Sequence, residues 1–222
     1  MPYLRDQQLE EFQDIRPAGG ARVLLIDPPW SFEAYSEKGH FKGASAQYAT
    51  MSMDEIKKMP IGHLAANDAV VFLWSTWPLM PHWNDVITAW GFEFKSLAWE
   101  WIKFNPDTGK YAFGPGYGTR KNLEPCLMAT RGKPKMRPPI DMPLLGAGLP
   151  QGVRSVRDFV EAMPLDCIRQ PLDGHSRKPD EQYTRIQTMF EGPYVELFAR
   201  QRYPGWISWG FEVDKFEVRA AQ

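Results

Sequence analysis

At 222 residues the chain has room for one domain with a full hydrophobic core. A composition of 43% hydrophobic and 24% charged residues is that of an ordinary globular protein, and a net charge of −1 excludes the strongly basic footprint of a dedicated nucleic-acid binder. Two cysteines, Cys126 and Cys167, supply neither a disulfide framework nor a C-x-x-C metal pair.

Those thiols suit a reducing compartment, and a cytoplasmic location is expected. The apolar runs are far shorter than the ~20 residues that cross a membrane, and MPYLRDQQLEEF has no basic-then-apolar leader. Composition leaves a homo- or hetero-dimer open. The whole chain, 1–222, is expected to be a single domain.

In chain order, the first element is the apolar run Val23–Ile26, which reads as a strand buried on both faces. Pro28 and Pro29 donate no ladder hydrogen bond, so the strand must stop at Asp27. Residues 31–50 read as a long polar loop. Ser52, with Glu55 three positions on, forms a capping box for a short helix ending at Pro60. DAVVFLW (68–74) is a second strand. PLMPHWNDVITAWG then reads as a helix stopped by Gly91, and FEFKSLAWEWIKF (92–104) as a third strand. LEPCLMAT (123–130) is a fourth, with Pro125 a mark against a central position. Residues 131–157 are rich in Pro, Gly and Arg, and 106–157 with 31–50 are the candidate substrate loops. A helix is expected over 178–192 from Pro179, then strands at YVELFAR (194–200) and GWISWG (205–210). Strands separated by helices point to an α/β, mostly parallel, doubly wound sheet.

Such sheets hold ligands at the carboxyl ends of their strands. Asp27-Pro28-Pro29-Trp30 puts there a carboxylate, two stiff carbonyls and an indole. Read alone, the tetrapeptide also fits an aspartate-led turn. Its chemistry is nonetheless definite. The exocyclic amino group of a nucleobase is a poor nucleophile because its lone pair is delocalised. A carboxylate and a proline carbonyl can each accept one of its hydrogens and favour positive charge on the nitrogen, while the indole offers a face for an extruded base. The four histidines, His40, His63, His82 and His175, lack metal-ligand spacing, so no metal is assigned. GPGYG (114–118) and GAGLPQG (146–152) do not open a helix after a strand, so neither is a dinucleotide fingerprint.

The chain resembles the DPPW branch of the N(6)-adenine methyltransferases, the family of the catalytic subunit of the eukaryotic mRNA adenosine methyltransferase. Besides the tetrapeptide, DIR (14–16), YATMSMDEI (48–56), FLWST (72–76), WIKFN (101–105), EPCLMATRGKP (124–134), SRKPDEQY (176–183) and ELFAR (196–200) resemble its blocks in the same order. The resemblance implies a Rossmann-like, S-adenosylmethionine-dependent fold with the catalytic motif ahead of the cofactor strand. It implies that Asp27, Pro28, Pro29 and Trp30 hold the target base. Asp14 and Ile15 would lie against the cofactor adenine, Lys178 would pair with the methionine carboxylate, and Glu196, Phe198 and Arg200 would line the cofactor strand with Asp27 beside them. Tyr48, Lys103 and Glu124 match positions near the substrate. Ala199, Arg202, Tyr203 and Phe211 depart from the pattern, which makes Glu212 a substitute partner for the ribose.

The stretch 120–137 holds Arg120, Lys121, Arg131, Lys133, Lys135 and Arg137 against one acid, Glu124. Beside a base-flipping pocket it could neutralise phosphates, with Arg154 and Arg157 extending it. The expected activity is therefore adenine methylation in DNA. RNA is the alternative polymer, and a catalytically silent nucleic-acid-binding subunit the alternative class.

Overall fold

The computed structural model describes residues 5–31, 50–112, 118–137, 164–173 and 177–216. Tyr48, Arg154, Arg157, His40, His175, most of the 31–50 loop, and residues 113–117 and 138–157 of the other candidate loop lie outside them. The chain divides into two compact units, one of residues 1–98, 124–134 and 193–222, the other of 99–123 and 135–192.

The first unit opens with helix α1 (Arg5–Ile15), and a tight turn then delivers the chain into strand β1 (Ala21–Ile26). That turn requires Gly20: its φ is +88°, and a Cβ there would stand 2.6 Å from the Ala66 backbone nitrogen. β1 is an interior strand. It pairs in parallel with β2 (Ala65–Trp74) on one side and β6 (Tyr194–Leu197) on the other, and β6 pairs in parallel with β7 (Trp206–Trp209). β4 (Leu123–Arg131) runs antiparallel to β2, from Cys126 opposite Trp74 to Arg131 opposite Ala69. β3 (Glu93–Phe104) lies beside β4 and carries the chain into the second unit. There its second half pairs in parallel with β5 (Cys167–Pro171).

The expected α/β class and mostly parallel sheet are observed. Strand β1 stops one residue before Asp27, as its prolines dictate. The Ser52–Glu55 capping box is formed, starting α2 (Met53–Lys58) with the Glu55 carboxylate 2.7 Å from the Ser52 backbone nitrogen. A four-residue helix α3 (Ile61–Leu64) follows. The helix expected after β2 is in two parts, a 3-10 turn over Trp77–His82 containing Pro81 and then α4 (Trp83–Ala89). Gly91 at φ +80° ends it.

Two expectations need correction. Pro125 sits in β4 with strands on both sides, because the sheet's last β2–β4 pair is Trp74–Cys126 and the missing N–H falls just beyond it. The strand expected over 194–200 ends at Leu197, where Phe198 turns to φ +60°. In the second unit, α5 (Glu181–Met189) begins two residues after Pro179.

The hydrophobic core cluster of the first unit covers one face of this sheet, and Val23, Leu25, Val70 and Phe72 are buried on the other. Within the cluster Leu24, Ile26, Val71, Leu73, Val195 and Leu197 are inaccessible, against Phe12, Ile56, Leu64 and Ile87 from the helices. Each such side chain contributes about 1.5–3 kcal/mol by leaving water. Among the described residues, no helix is long and apolar enough to cross a membrane.

Candidate active site

The carboxyl ends of β1, β2 and β6 come level at Ile26, Leu73 and Leu197. Asp27 follows at this edge, half-buried, with its backbone N–H towards the Leu197 carbonyl at 3.5 Å. The Pro28 carbonyl accepts the Trp30 N–H at 2.8 Å, and the Pro29 carbonyl accepts the Met51 N–H at 2.8 Å. Ser31 donates back to the Met51 carbonyl at 3.1 Å, so the turn is stapled on both strands of a small bridge. Each proline carbonyl keeps a second lone pair.

Trp30 is only 5% exposed and belongs to the hydrophobic core. Its indole N–H donates to the Trp74 carbonyl at 3.0 Å. The ring therefore anchors the turn to the end of β2 instead of offering an open stacking face. Just past Trp74, the buried hydroxyls of Ser75 and Thr76 find no hydrogen-bond partner among the described residues. Ser75 is nevertheless fixed, because its backbone N–H donates to the Pro125 carbonyl at 3.0 Å. This contact places Glu124, half-buried, at the same edge.

Beyond β6, Phe198 is the one non-glycine described residue with positive φ. An aromatic residue in that region is held against its preference, a feature that concentrates at ligand sites. Phe198 meets Trp209 edge-on at 5.6 Å between centroids, and Ala199 donates its N–H to the Trp209 carbonyl. The Arg200 guanidinium then pairs with Glu212 at 2.9 Å, and Lys215 meets the same carboxylate at 2.5 Å. Burial alone would raise the Glu212 pKa, but the Lys215 hydrogen bond and the Arg200 charge outweigh it and hold the carboxyl below the usual range. Glu196, 8% exposed, lies within β6 opposite Leu25 and Ser208.

Asp27, Pro28, Pro29, Trp30, Phe198 and Glu124 thus share one edge, with Arg200 and Glu212 joined just beyond β6. The remaining residues lie elsewhere. Asp14 is exposed and Ile15 half-buried at the end of α1, next to Arg16. Arg131 and Lys133 stand at the opposite, amino end of the strands: five residues separate Arg131 from Cys126, roughly 17 Å at ~3.4 Å per residue. Lys103, Arg120, Lys121 and Lys178 belong to the second unit. Within it Lys103 lies over the Trp101 ring at 4.9 Å, and Arg120 and Lys121 are exposed. Lys178 is half-buried beside Arg177, which is ion-paired to Asp173 at 3.1 Å and Asp180 at 3.0 Å. Sequence reasoning passed over Ser75 and Thr76, although both stand in the FLWST block. Among the described residues no group of His, Cys, Asp or Glu could hold a metal ion.

An interior parallel strand followed directly by a carboxylate and two prolines, beside a strand followed three residues on by Arg200, fits a Rossmann-like methyltransferase. Comparison with known proteins gives the family: the MT-A70 pattern matches residues 21–212, and the chain belongs to that family of S-adenosylmethionine-dependent N6-adenine methyltransferases. It is 27% identical to type II methyltransferase M.MunI of Mycoplasma over 95% of this chain and 86% of the relative. It is 30% identical to the mouse N(6)-adenine-specific methyltransferase METTL4, over 88% of this chain and 38% of that protein. The N6-methyladenosine RNA methyltransferase MTA1 of Pyricularia oryzae is 27% identical over 93% of this chain and 50% of its own length. The edge suits the family's cofactor. It combines buried hydroxyls without a hydrogen-bond partner among the described residues, a carboxylate, and an aromatic residue held in a disfavoured backbone conformation.

Proposed function

We propose that the chain methylates the exocyclic amino group of adenine in DNA, after the base leaves its stack. Extruding a base costs a few kcal/mol, which contacts in the pocket offset. S-adenosylmethionine, when bound, supplies an activated methyl group on a sulfonium. Phe198, Arg200 and Glu212 are the first-unit residues we assign to it, and Lys178 is assigned to its carboxylate on the family resemblance alone.

The chain's own residues carry the rest. The Asp27 carboxylate accepts one amino hydrogen, and the free lone pair of a proline carbonyl accepts the other. Together they draw the nitrogen's lone pair out of conjugation and stabilise the positive charge that grows on it. The surplus proton of the methylated amino group then leaves to solvent. Met51 and Trp74 fix the turn, so the acceptors need no reorganisation during reaction. The observation that carries this reading is the stapled Asp27–Trp30 turn at the sheet's carboxyl edge.

DNA is favoured over RNA because the match to the type II methyltransferase runs along most of both chains, whereas the RNA methyltransferase MTA1 is covered over half its length. The test is to incubate the protein with S-adenosylmethionine and, separately, duplex DNA, single-stranded DNA or RNA, then digest to nucleosides for mass spectrometry. N6-methyldeoxyadenosine from DNA is expected. Methyladenosine from RNA alone would reassign the polymer.

A further inference from the structure

The amino edge of the same sheet carries a recess of its own. This polar, open recess of about 490 Å³ lies at the start of β1 and β2, lined by Arg16, Arg131, Gln13, His63 and Asn67. Arg16 donates from Nε to the His63 carbonyl at 2.7 Å, and Arg131 from a terminal nitrogen to the Gly62 carbonyl at 2.8 Å. These carbonyls close α3, so each guanidinium first serves as a cation at a helix carboxyl end.

That role engages one nitrogen of each fork, and a guanidinium has five N–H donors. Arg177, Arg185, Arg200 and Arg202 each meet a carboxylate. Arg16 and Arg131 meet none among the described residues. Asp68, in β2, accepts the Lys133 backbone N–H at 2.7 Å, which places a further cation at the same edge. Two clamped, uncompensated guanidiniums beside neutral amides make a pre-set fork for an oxyanion.

We propose that this recess binds the phosphodiester backbone of the polynucleotide at a distance from the reacting base. The inference rests on the proposed activity. The recess is open, as a continuous strand requires, and it lies roughly 17 Å along the sheet from the carboxyl edge, about five phosphate spacings at ~3.4 Å each. Of the cations that the sequence sets beside the base pocket, Arg131 thus acts here from the far end.

The experiment is anisotropy of a labelled adenine-containing DNA duplex between about 50 and 200 mM salt, the range over which phosphate contacts are lost. Arg16→Gln with Arg131→Gln is expected to lower the slope of log K against log salt by about 1.8, two contacts at ~0.9 each. A second variant, His63→Glu with Asn67→Asp, leaves both clamps intact and lines the recess with carboxylates. It is expected to weaken duplex binding about tenfold at the lowest salt and to raise KM for the polymer, with S-adenosylmethionine affinity unchanged. Wild-type affinity and salt slope in this second variant would overturn the proposal. So would inorganic phosphate bound at the recess without any effect of the variants on duplex binding. A protein that binds duplex but methylates no adenine would defeat the proposed activity, and the salt slopes would still decide the recess.

Discussion

The two edges of one sheet are chemically opposite. The carboxyl edge of β1, β2 and β6 carries Asp27, two proline carbonyls and the buried hydroxyls of Ser75 and Thr76; the amino edge carries Arg16, Arg131 and Lys133. At the first, hydrogen-bond acceptors are fixed where an amino group would lose electron density. At the second, donors are fixed where phosphate charge would settle. Both sets lie at the ends of the same strands, and neither neutralises the other because roughly 17 Å lies between them. A residue's contribution is therefore set by which end of its strand it occupies. Glu124 and Arg131 are seven positions apart in one strand and belong to different chemistry.

The largest effect is expected where the carboxyl edge is tied to the core. Trp30→Ala removes a ring 5% exposed and its bond to the Trp74 carbonyl, and should cost about 3–5 kcal/mol in a denaturant melt. A loss below about 1 kcal/mol would mean that the turn does not depend on its indole anchor. Next comes Ser52→Ala, which breaks the capping box directly after the Met51 staple. About 1 kcal/mol of stability should go, read in the same melt.

The smallest effect is a pH dependence at Glu212. Its carboxyl pKa is lowered in the folded protein, so its contribution is complete above the unfolded value near ~4.3 and is lost as pH falls through the folded value. Glu212→Gln should therefore flatten the acid limb of a stability-against-pH curve below about pH 4 while leaving its shape near neutrality unchanged. An acid limb identical to the wild type would show that Arg200 and Lys215 do not hold this carboxylate in solution.

Much of the carboxyl edge was legible in the sequence because its signals are local. Two prolines after four apolar residues can only end a strand, and Ser52 with Glu55 can satisfy each other within one turn. Other features have no local signature. α1 has just one fully buried side chain among its described ones, Phe12, and RDQQLEEFQDI shows little apolar face. In β5 only Ile168 is fully buried, so CIRQP gives no alternation to read. The positive φ of Phe198 is imposed by its neighbours against the residue's own preference. The position of Arg131 depends on an antiparallel register, which a basic stretch in a sequence cannot disclose.

The most direct test of the account is Asp27→Asn, which keeps the shape of the side chain and removes its charge. Single-turnover methylation of a DNA duplex and calorimetric binding of S-adenosylmethionine would be measured on the same preparation. A rate lower by about 10²–10³ is expected, with cofactor binding retained. A methylation rate within a few-fold of the wild type would contradict the assignment of the carboxyl edge as the reacting one.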